Sequence, residues 1–383
     1  MISLRSLFHR QAEPLMGLDI SSSSIKLVEL GFMDKRMPPQ GLLNNDHVAD
    51  PSHWVLERCA METLDRPWVV DGHIEQLEPL AEALGRLLQR CGTTTKRVAM
   101  ALPPSSVITK KINLPAGLNE AEMEAMVQVE ANQYIPFPLE EVSLDFCVVG
   151  PSAASAADVE VLIAAARREK VQDLQALAES VGLDPVTVDV ESYAARRAAW
   201  AAIQSVPFNG DPPMVALLEL GATTSSLQVL RQGEVVFERD QAFGGAALTQ
   251  AIAQQYGFSP EDAEARKRKG DLPDTYATEV LPAFLDSLAQ DVARALKYFF
   301  TSTPYHRVDQ ILLAGGCATL SGLPQAVSHW VQTPAAVLNP FAGMALGAGL
   351  STAVGTSMGS NPLHQRQAPS FLTACGLAMR RAA

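Results

Sequence analysis

Asp19-Ile-Ser-Ser-Ser-Ser-Ile-Lys-Leu27 and Glu219-Leu-Gly-Ala-Thr-Thr-Ser-Ser-Leu227 share one pattern, displaced by a constant 200 residues. Each copy ends an apolar run on an acid, crosses a turn of small hydroxylated residues, and re-enters an amphipathic run. The pattern predicts a strand, a tight turn and a second strand, with Ile25 and Leu27 alternating at period two. An internal repeat implies two similar halves. Duplicated strand–turn–strand units can face each other across a cleft.

The chemistry of both turns suits a nucleotide polyphosphate. Small side chains let backbone N–H groups approach phosphate oxygens, and Ser or Thr hydroxyls add donors. An acid at each strand end, Asp19 and Glu219, can hold Mg²⁺ directly or through its waters. A third element, Leu312-Leu-Ala-Gly-Gly-Cys-Ala-Thr-Leu-Ser-Gly322, reads as a strand entering a glycine turn. The missing side chains there would let a flat base and ribose lie on the backbone. No G-x-x-x-x-G-K-[ST] loop occurs, and no Gly-x-Gly-x-x-Gly stands at a strand-to-helix turn, so P-loop and Rossmann sites are excluded.

Outward from the repeat, Ile74 to Cys91 predicts a helix, with Leu77, Leu80, Leu84, Leu87 and Leu88 on one face. Lys96 to Leu102 predicts a buried strand and Val107 to Leu114 another. Asn119 caps a helix through Gln133, with Glu120, Glu122 and Glu124 in its first turns. Ile135-Pro136-Phe137-Pro138 stops that helix. Val142 to Val149 and Val159 to Ala166 form a hairpin, and Glu169 to Val181 a helix closed by Gly182. Residues 97–182 thus read as a compact α+β module. Val186 to Val190 is a strand, followed by a helix to about Gln204. Asn209-Gly210-Asp211-Pro212-Pro213 is the clearest linker. Arg231-Gln232-Gly233 turns a hairpin into Val235 to Arg239, and residues 245–300 are mainly helical.

The chain has 383 residues, 30 basic and 42 acidic, for a net charge of −12. Its length suits two domains. Its acidity argues against nucleic acid as a partner, since the longest basic run is Arg266 to Lys269. The five cysteines are odd in number and widely spaced, without a C-x-x-C pair. That favours a reducing compartment over a disulfide framework. Ala335 to Gly355 is apolar but broken by Asn339, Pro340 and glycines, so no spanning helix is expected. The basic N-terminus, with Leu4, Leu7 and Phe8 opposite Arg5 and Arg10, reads as a short docked helix rather than a secretory signal.

On these motifs the sequence resembles the actin/Hsp70/sugar-kinase superfamily, and more closely the PilM family of type IV pilus assembly proteins. The resemblance covers nearly the whole chain. It rests on Gly17-Leu-Asp-Ile-Ser-Ser-Ser-Ser-Ile-Lys-Leu, Glu130-Ala-Asn-Gln-Tyr-Ile-Pro-Phe-Pro-Leu-Glu-Glu-Val and Val188-Asp-Val-Glu-Ser-Tyr-Ala. It continues in Phe243-Gly-Gly-Ala-Ala-Leu-Thr, Ala314-Gly-Gly-Cys and the terminal Cys375-Gly-Leu-Ala-Met-Arg. It implies an α/β, actin-like two-domain fold: duplicated mixed-sheet cores around a nucleotide cleft, with an inserted α+β subdomain. The expected division is 1–96 with 358–383 as the first core, 97–182 as the insert, 183–245 with 301–357 as the second core, and 246–300 as a helical subdomain.

The resemblance also implies roles. Asp19 would coordinate magnesium through water, with Glu219 as its counterpart. Ser21, Ser22, Ser23 and Ser24 would form the first phosphate loop, with Lys26 near the phosphates. Gly221, Ala222, Thr223 and Thr224 would form the second. Gly244 and Gly245 would line the cleft, Glu264 and Lys267 would meet ribose and adenine, and Gly315, Gly316 and Cys317 would hold the adenosine. A solvated Lys267 in a basic run is the alternative.

Serine at 21 and glutamate at 219 depart from the Gly and Asp usual in the family, so ATP should act mainly as a structural or switching ligand with slow hydrolysis. The implied partner is the cytoplasmic N-terminal tail of a PilN-like bitopic inner-membrane protein, held in a groove walled by Val107 to Leu114 and the helix to Gln133. Other pilus assembly proteins are implied too, and self-association is allowed. The implied setting is cytoplasmic, peripheral at the inner membrane through those partners, in fimbrium biogenesis and twitching motility.

Two other functions stay open. A small-molecule kinase would use Asp189 or Glu191 as base. A membrane-tethered filament protein like FtsA would carry a terminal amphipathic helix, which is not expected after Met379-Arg-Arg-Ala-Ala383.

Overall fold

The computed structural model describes residues 15–33, 50–64, 66–207, 210–347 and 367–380. The expected N-terminal helix lies outside them. The first repeat copy gives β1 (Met16–Ile20) and β2 (Ser24–Phe32), followed by β3 (Trp54–Thr63), the short pair β4 (Val69–Val70) and β5 (His73–Ile74), helix α1 (Leu77–Cys91) and β6 (Arg97–Leu102). Then come β7 (Val107–Pro115), α2 (Glu120–Tyr134), β8 (Val142–Pro151), β9 (Asp158–Arg167), α3 (Arg168–Ser180), β10 (Asp184–Val190) and α4 (Glu191–Gln204). The second copy gives β11 (Met214–Leu220) and β12 (Ser225–Arg231), then β13 (Glu234–Gln241). Helices α5 (Ala246–Tyr256), α6 (Pro260–Lys269) and α7 (Leu281–Ser302) precede β14 (Gln310–Ala314), α8 (Leu323–Val331), β15 (Ala335–Val337), β16 (Ala345–Leu346) and α9 (Leu372–Ala378).

Two mixed sheets repeat one design. In the first, β1, β2 and β3 form an antiparallel meander, and β6 runs parallel beside β1. In the second, β11, β12 and β13 form the meander, and β14 runs parallel beside β11. The registers match across the 200-residue offset: Asp19 pairs with Lys26, and Glu219 with Ser226.

β2 is buried along most of its length, on both faces. Its alternation separates two cores rather than core from solvent. Ile25 and Leu27 join Leu80, Leu84, Leu87 and Leu177 of α1 and α3. Val28 and Leu30 pack instead with α4, α9 and the inner face of the second sheet, including Val215 and Leu217. The outer face of the second sheet is covered by α5 and α7, around Leu288, Val292 and the fully buried Phe299. Helices α4 and α9 therefore fill the space between the sheets. Their contact leaves no room for side chains: a Cβ at Gly376 would sit 1.8 Å from the Ala194 carbonyl oxygen. One at Gly17 of β1 would sit 2.0 Å from that of Ala374.

The insert has its own three-stranded sheet, in the order β7-β9-β8, and its own core of Ile112, Leu114, Val127, Ala131, Ile135, Val161 and Ile163. Asn119 closes a capping box on α2: its side chain accepts from the Glu122 N–H, and the Glu122 carboxylate accepts from the Asn119 N–H.

The boundaries differ from those expected. β6 and β10 belong to the first sheet, α3 packs against that sheet's core, and β16 pairs with β3. The separate sheet runs from β7 to β9, not 97–182, and the first sheet extends past 183. An apolar run shows that a strand is buried but not which sheet it joins, and that is the physical reason for the difference.

Candidate functional site

Both repeat turns close in the same way. The Ser21 N–H donates to the Ser24 carbonyl at 3.0 Å, and the Gly221 N–H to the Thr224 carbonyl at 3.1 Å. Among described residues other than glycine, only Asp71, Gln232 and Gln332 have positive φ, so Ser21 sits in its turn without left-handed strain. Its hydroxyl adds a bond to the Ser24 carbonyl at 3.0 Å. The second turn is tighter, since a Cβ at Gly221 would lie 2.4 Å from the Thr224 oxygen.

The acids at the strand ends meet between the cores. Lys26 Nζ lies 2.7 Å from Asp19 Oδ2, and both side chains are buried. Burial opposes the Lys26 charge, but Asp19, then Glu219 and Glu191, outweigh it and raise its pKa. Glu219 accepts from the Thr373 hydroxyl through both carboxylate oxygens, at 3.2 and 3.1 Å. Burial and the neighbouring Asp19 push Glu219 up to about 7. Glu191, in the first turn of α4, is raised well above the carboxylate range by burial and by the charges of Asp19 and Glu219. Three carboxyls thus share one lysine, and protons supply the balance.

Asp240 pairs in register with Ser226, so Glu219, Ser226 and Asp240 form one cross-strand row. Burial raises Asp240, against the opposing effect of the neighbouring Ser226 hydroxyl. The kinase-base candidates part company here. Glu191 faces the carboxyl cluster, whereas Asp189 is bound by Arg197 at 3.3 Å and Arg380 at 2.9 Å.

The remaining expected residues gather beside the second turn. The Gly245 N–H donates to the Gly221 carbonyl at 3.0 Å, and the Ala246 N–H to that of Ala222 at 2.8 Å. A Cβ at Gly244 would meet the Gly221 oxygen at 2.5 Å, and one at Gly315 the Leu220 oxygen at 2.4 Å. Lys267 lies 2.6 Å from Glu264 and also donates to Thr249 Oγ1 at 2.6 Å and the Gly245 carbonyl at 3.3 Å. It is a fixed member of the cluster, not a solvated residue of a basic run. Burial raises Glu264, but Lys267, Thr249 and Arg268 outweigh it and hold the carboxyl low. The Cys317 thiol turns inward to the Gly221 carbonyl at 3.2 Å, and burial pushes it up to about 11. The glycine backbone at Gly316 is exposed on that turn. Ser22, Ser23, Thr223 and Thr224 lie on the two turns themselves.

Sequence reasoning missed three cleft groups. Ser226 was readable from the offset, because it stands where Lys26 stands in the first copy. Asp240 and Thr373 carried no local signal, since sheet register and helix packing alone bring them in. Among the described residues no three His, Cys, Asp or Glu side chains form a ready metal cage. Hard oxygen donors held by Asp19 and Glu219 fit a magnesium ion that keeps most of its waters.

A second recess, of about 390 Å³, opens between the insert and the first core. Ile108, Ile135, Phe137 and Val142 give it an apolar floor, with Arg167 and Lys170 on its rim. Arg167 stacks on the Phe137 ring at 4.1 Å, and Lys170 donates to Ser106 Oγ at 2.9 Å. β7 contributes Ile108, but the segment after α2, not α2 itself, supplies the aromatic side.

A family model described as type IV pilus assembly protein PilM matches residues 17–382. The structure is similar to one titled PilM-PilN type IV pilus biogenesis complex, at 27% identity and a TM-score of 0.72, over 96% of this chain and 98% of that one. It is also similar to the ethanolamine utilization protein EutJ from Carboxydothermus hydrogenoformans, at 15% identity and a TM-score of 0.53, over 95% and 88% of the two chains. The fold is actin-like. Among the described residues no helix is long and apolar enough to cross a membrane.

Proposed function

The chain belongs to the PilM family of type IV pilus assembly proteins, and from that premise we propose that it is an ATP-binding scaffold of the pilus assembly complex. The observation that carries the nucleotide reading is the pair of matched turns, each closed by the same hydrogen bond and each preceded by an acid, meeting around Lys26. The polyphosphate would lie between the turns, against backbone N–H groups and Lys26. Magnesium would neutralise phosphate charge, with Asp19 and Glu219 holding its waters. The adenosine would rest on Gly316 and Gly244, beside the Glu264–Lys267 pair.

Hydrolysis would be slow. Glu219 is tied to Thr373 by both oxygens and holds a proton for part of the time at neutral pH. ATP then serves as a structural or switching ligand. Magnesium-ATP should bind in titration calorimetry, and Lys26→Met should weaken it at least tenfold. Unchanged affinity in that variant would remove the cleft from consideration.

The recess beside the insert would take the N-terminal tail of a PilN-like membrane protein, an extended peptide entering a groove. This reading is supported by the similar structure, a PilM-PilN complex. Membrane association would follow through that partner. A synthetic tail peptide should bind with micromolar affinity, about −8 kcal/mol. Phe137→Ala should weaken it roughly tenfold or more, as loss of a buried aromatic anchor does. No heat at high peptide concentration would sink the groove assignment.

A further inference from the structure

Successive side chains of β7 point to opposite faces. Ile108 lines the recess. Thr109 and Lys111 share the other face, and both reach beyond the insert. Lys111 Nζ lies 3.1 Å from Glu160 Oε2 of β9 and 3.6 Å from Glu234 Oε2, where β13 begins. Glu234 follows the tight turn at Gln232 and Gly233, with φ of 53° and 85°. Gly233 lies against the Trp200 ring of α4, so close that a Cβ would be 2.4 Å from it. Thr109 meets the Tyr193 hydroxyl in the first turn of α4, and the Arg196 guanidinium stacks on the Tyr193 ring at 5.1 Å. Two residues before Tyr193 stands Glu191, a member of the carboxyl cluster.

We propose that β7 couples the recess to the cleft, with Lys111 and Tyr193 as positioning residues. This rests on the nucleotide and peptide sites proposed above. One stiff strand carries a groove residue on one face. On the other it touches the second core's hairpin and the helix turn that bears Glu191. A ligand that bridges the two cores favours the arrangement in which these contacts are made. The coupling is reciprocal, so an occupant that shifts Ile108 alters nucleotide affinity by the same factor. Its size is modest, because Lys111 and Glu234 are 45% and 64% exposed and such pairs are weak. A two- to fivefold effect is expected.

The test is hydrogen exchange on the full chain, with and without Mg²⁺ and a non-hydrolysable ATP analogue. Binding of the analogue is measured separately by calorimetry. In the wild type, amides of Val107 to Leu114 should slow two- to fivefold when the analogue binds. In Lys111→Met combined with Tyr193→Phe, and separately in Glu234→Gln, the analogue should still bind while the β7 response shrinks. Binding in the wild type without any β7 response overturns the coupling. So does a full response in both variants. Failure of the wild type to bind the analogue overturns the cleft assignment itself, and the coupling with it.

Discussion

Ser21 and Gly221 hold equivalent places in the two turns, yet only the first turn has room for a Cβ. A serine at position 21 is therefore tolerated. Ser21→Gly should change stability by less than about 1 kcal/mol, whereas Gly221→Ser should weaken both folding and magnesium-ATP binding. Chemical denaturation and calorimetry separate these outcomes. The sequence showed a serine in one turn and a glycine in the other but not the consequence, because φ and the nearness of a carbonyl oxygen are not local properties.

Glu219 gives the pH prediction. Its folded pKa, about 7, is above the ordinary 4.5, so the folded state holds its proton more tightly. That contribution is fully present below about pH 4.5 and is lost as pH rises through 7. The protein without nucleotide should lose up to about 3 kcal/mol from this group between pH 5 and 7.5. Glu219→Gln should flatten that slope in denaturation curves. Magnesium-ATP should bind more tightly at pH 8 than at pH 6, since the ion displaces the proton. A slope unaltered by the substitution would assign the proton elsewhere.

At the scale of elements, the helices between the sheets are the least forgiving part. The contact at Gly376 is backbone against backbone, so no side chain can swing aside. Gly376→Val should prevent accumulation of folded protein, while Asn119→Ala on the insert should cost about 1 kcal/mol. Tm measurements on both variants rank the two sites. Elements with a strong local signal were legible: the repeat strands, α1 from its leucine spacing, and the capped α2. Sheet membership was not. β6 and β10 look alike as apolar runs, and only pairing assigns them to the first sheet. The recess between the insert and the first core takes an aromatic side that no local signal placed. Phe137 reaches it because Pro136 and Pro138 turn the chain after α2.

For the whole molecule, a net charge of −12 and a polyanionic ligand are compatible only if the cleft supplies its own positive potential. Lys26 is already engaged by Asp19, and Lys267 by Glu264. Backbone N–H groups and a hydrated magnesium ion must do the rest, so ATP without magnesium should bind poorly. At a hundred times its Kd, magnesium-ATP should stabilise the folded chain by about 2.7 kcal/mol. The most direct test is a crystal structure with Mg²⁺ and a non-hydrolysable ATP analogue. It should place the phosphates between Ser21–Ser24 and Gly221–Thr224, with the metal's waters on Asp19 and Glu219. A nucleotide bound away from both turns, or a cleft left empty at saturating analogue, would contradict the account.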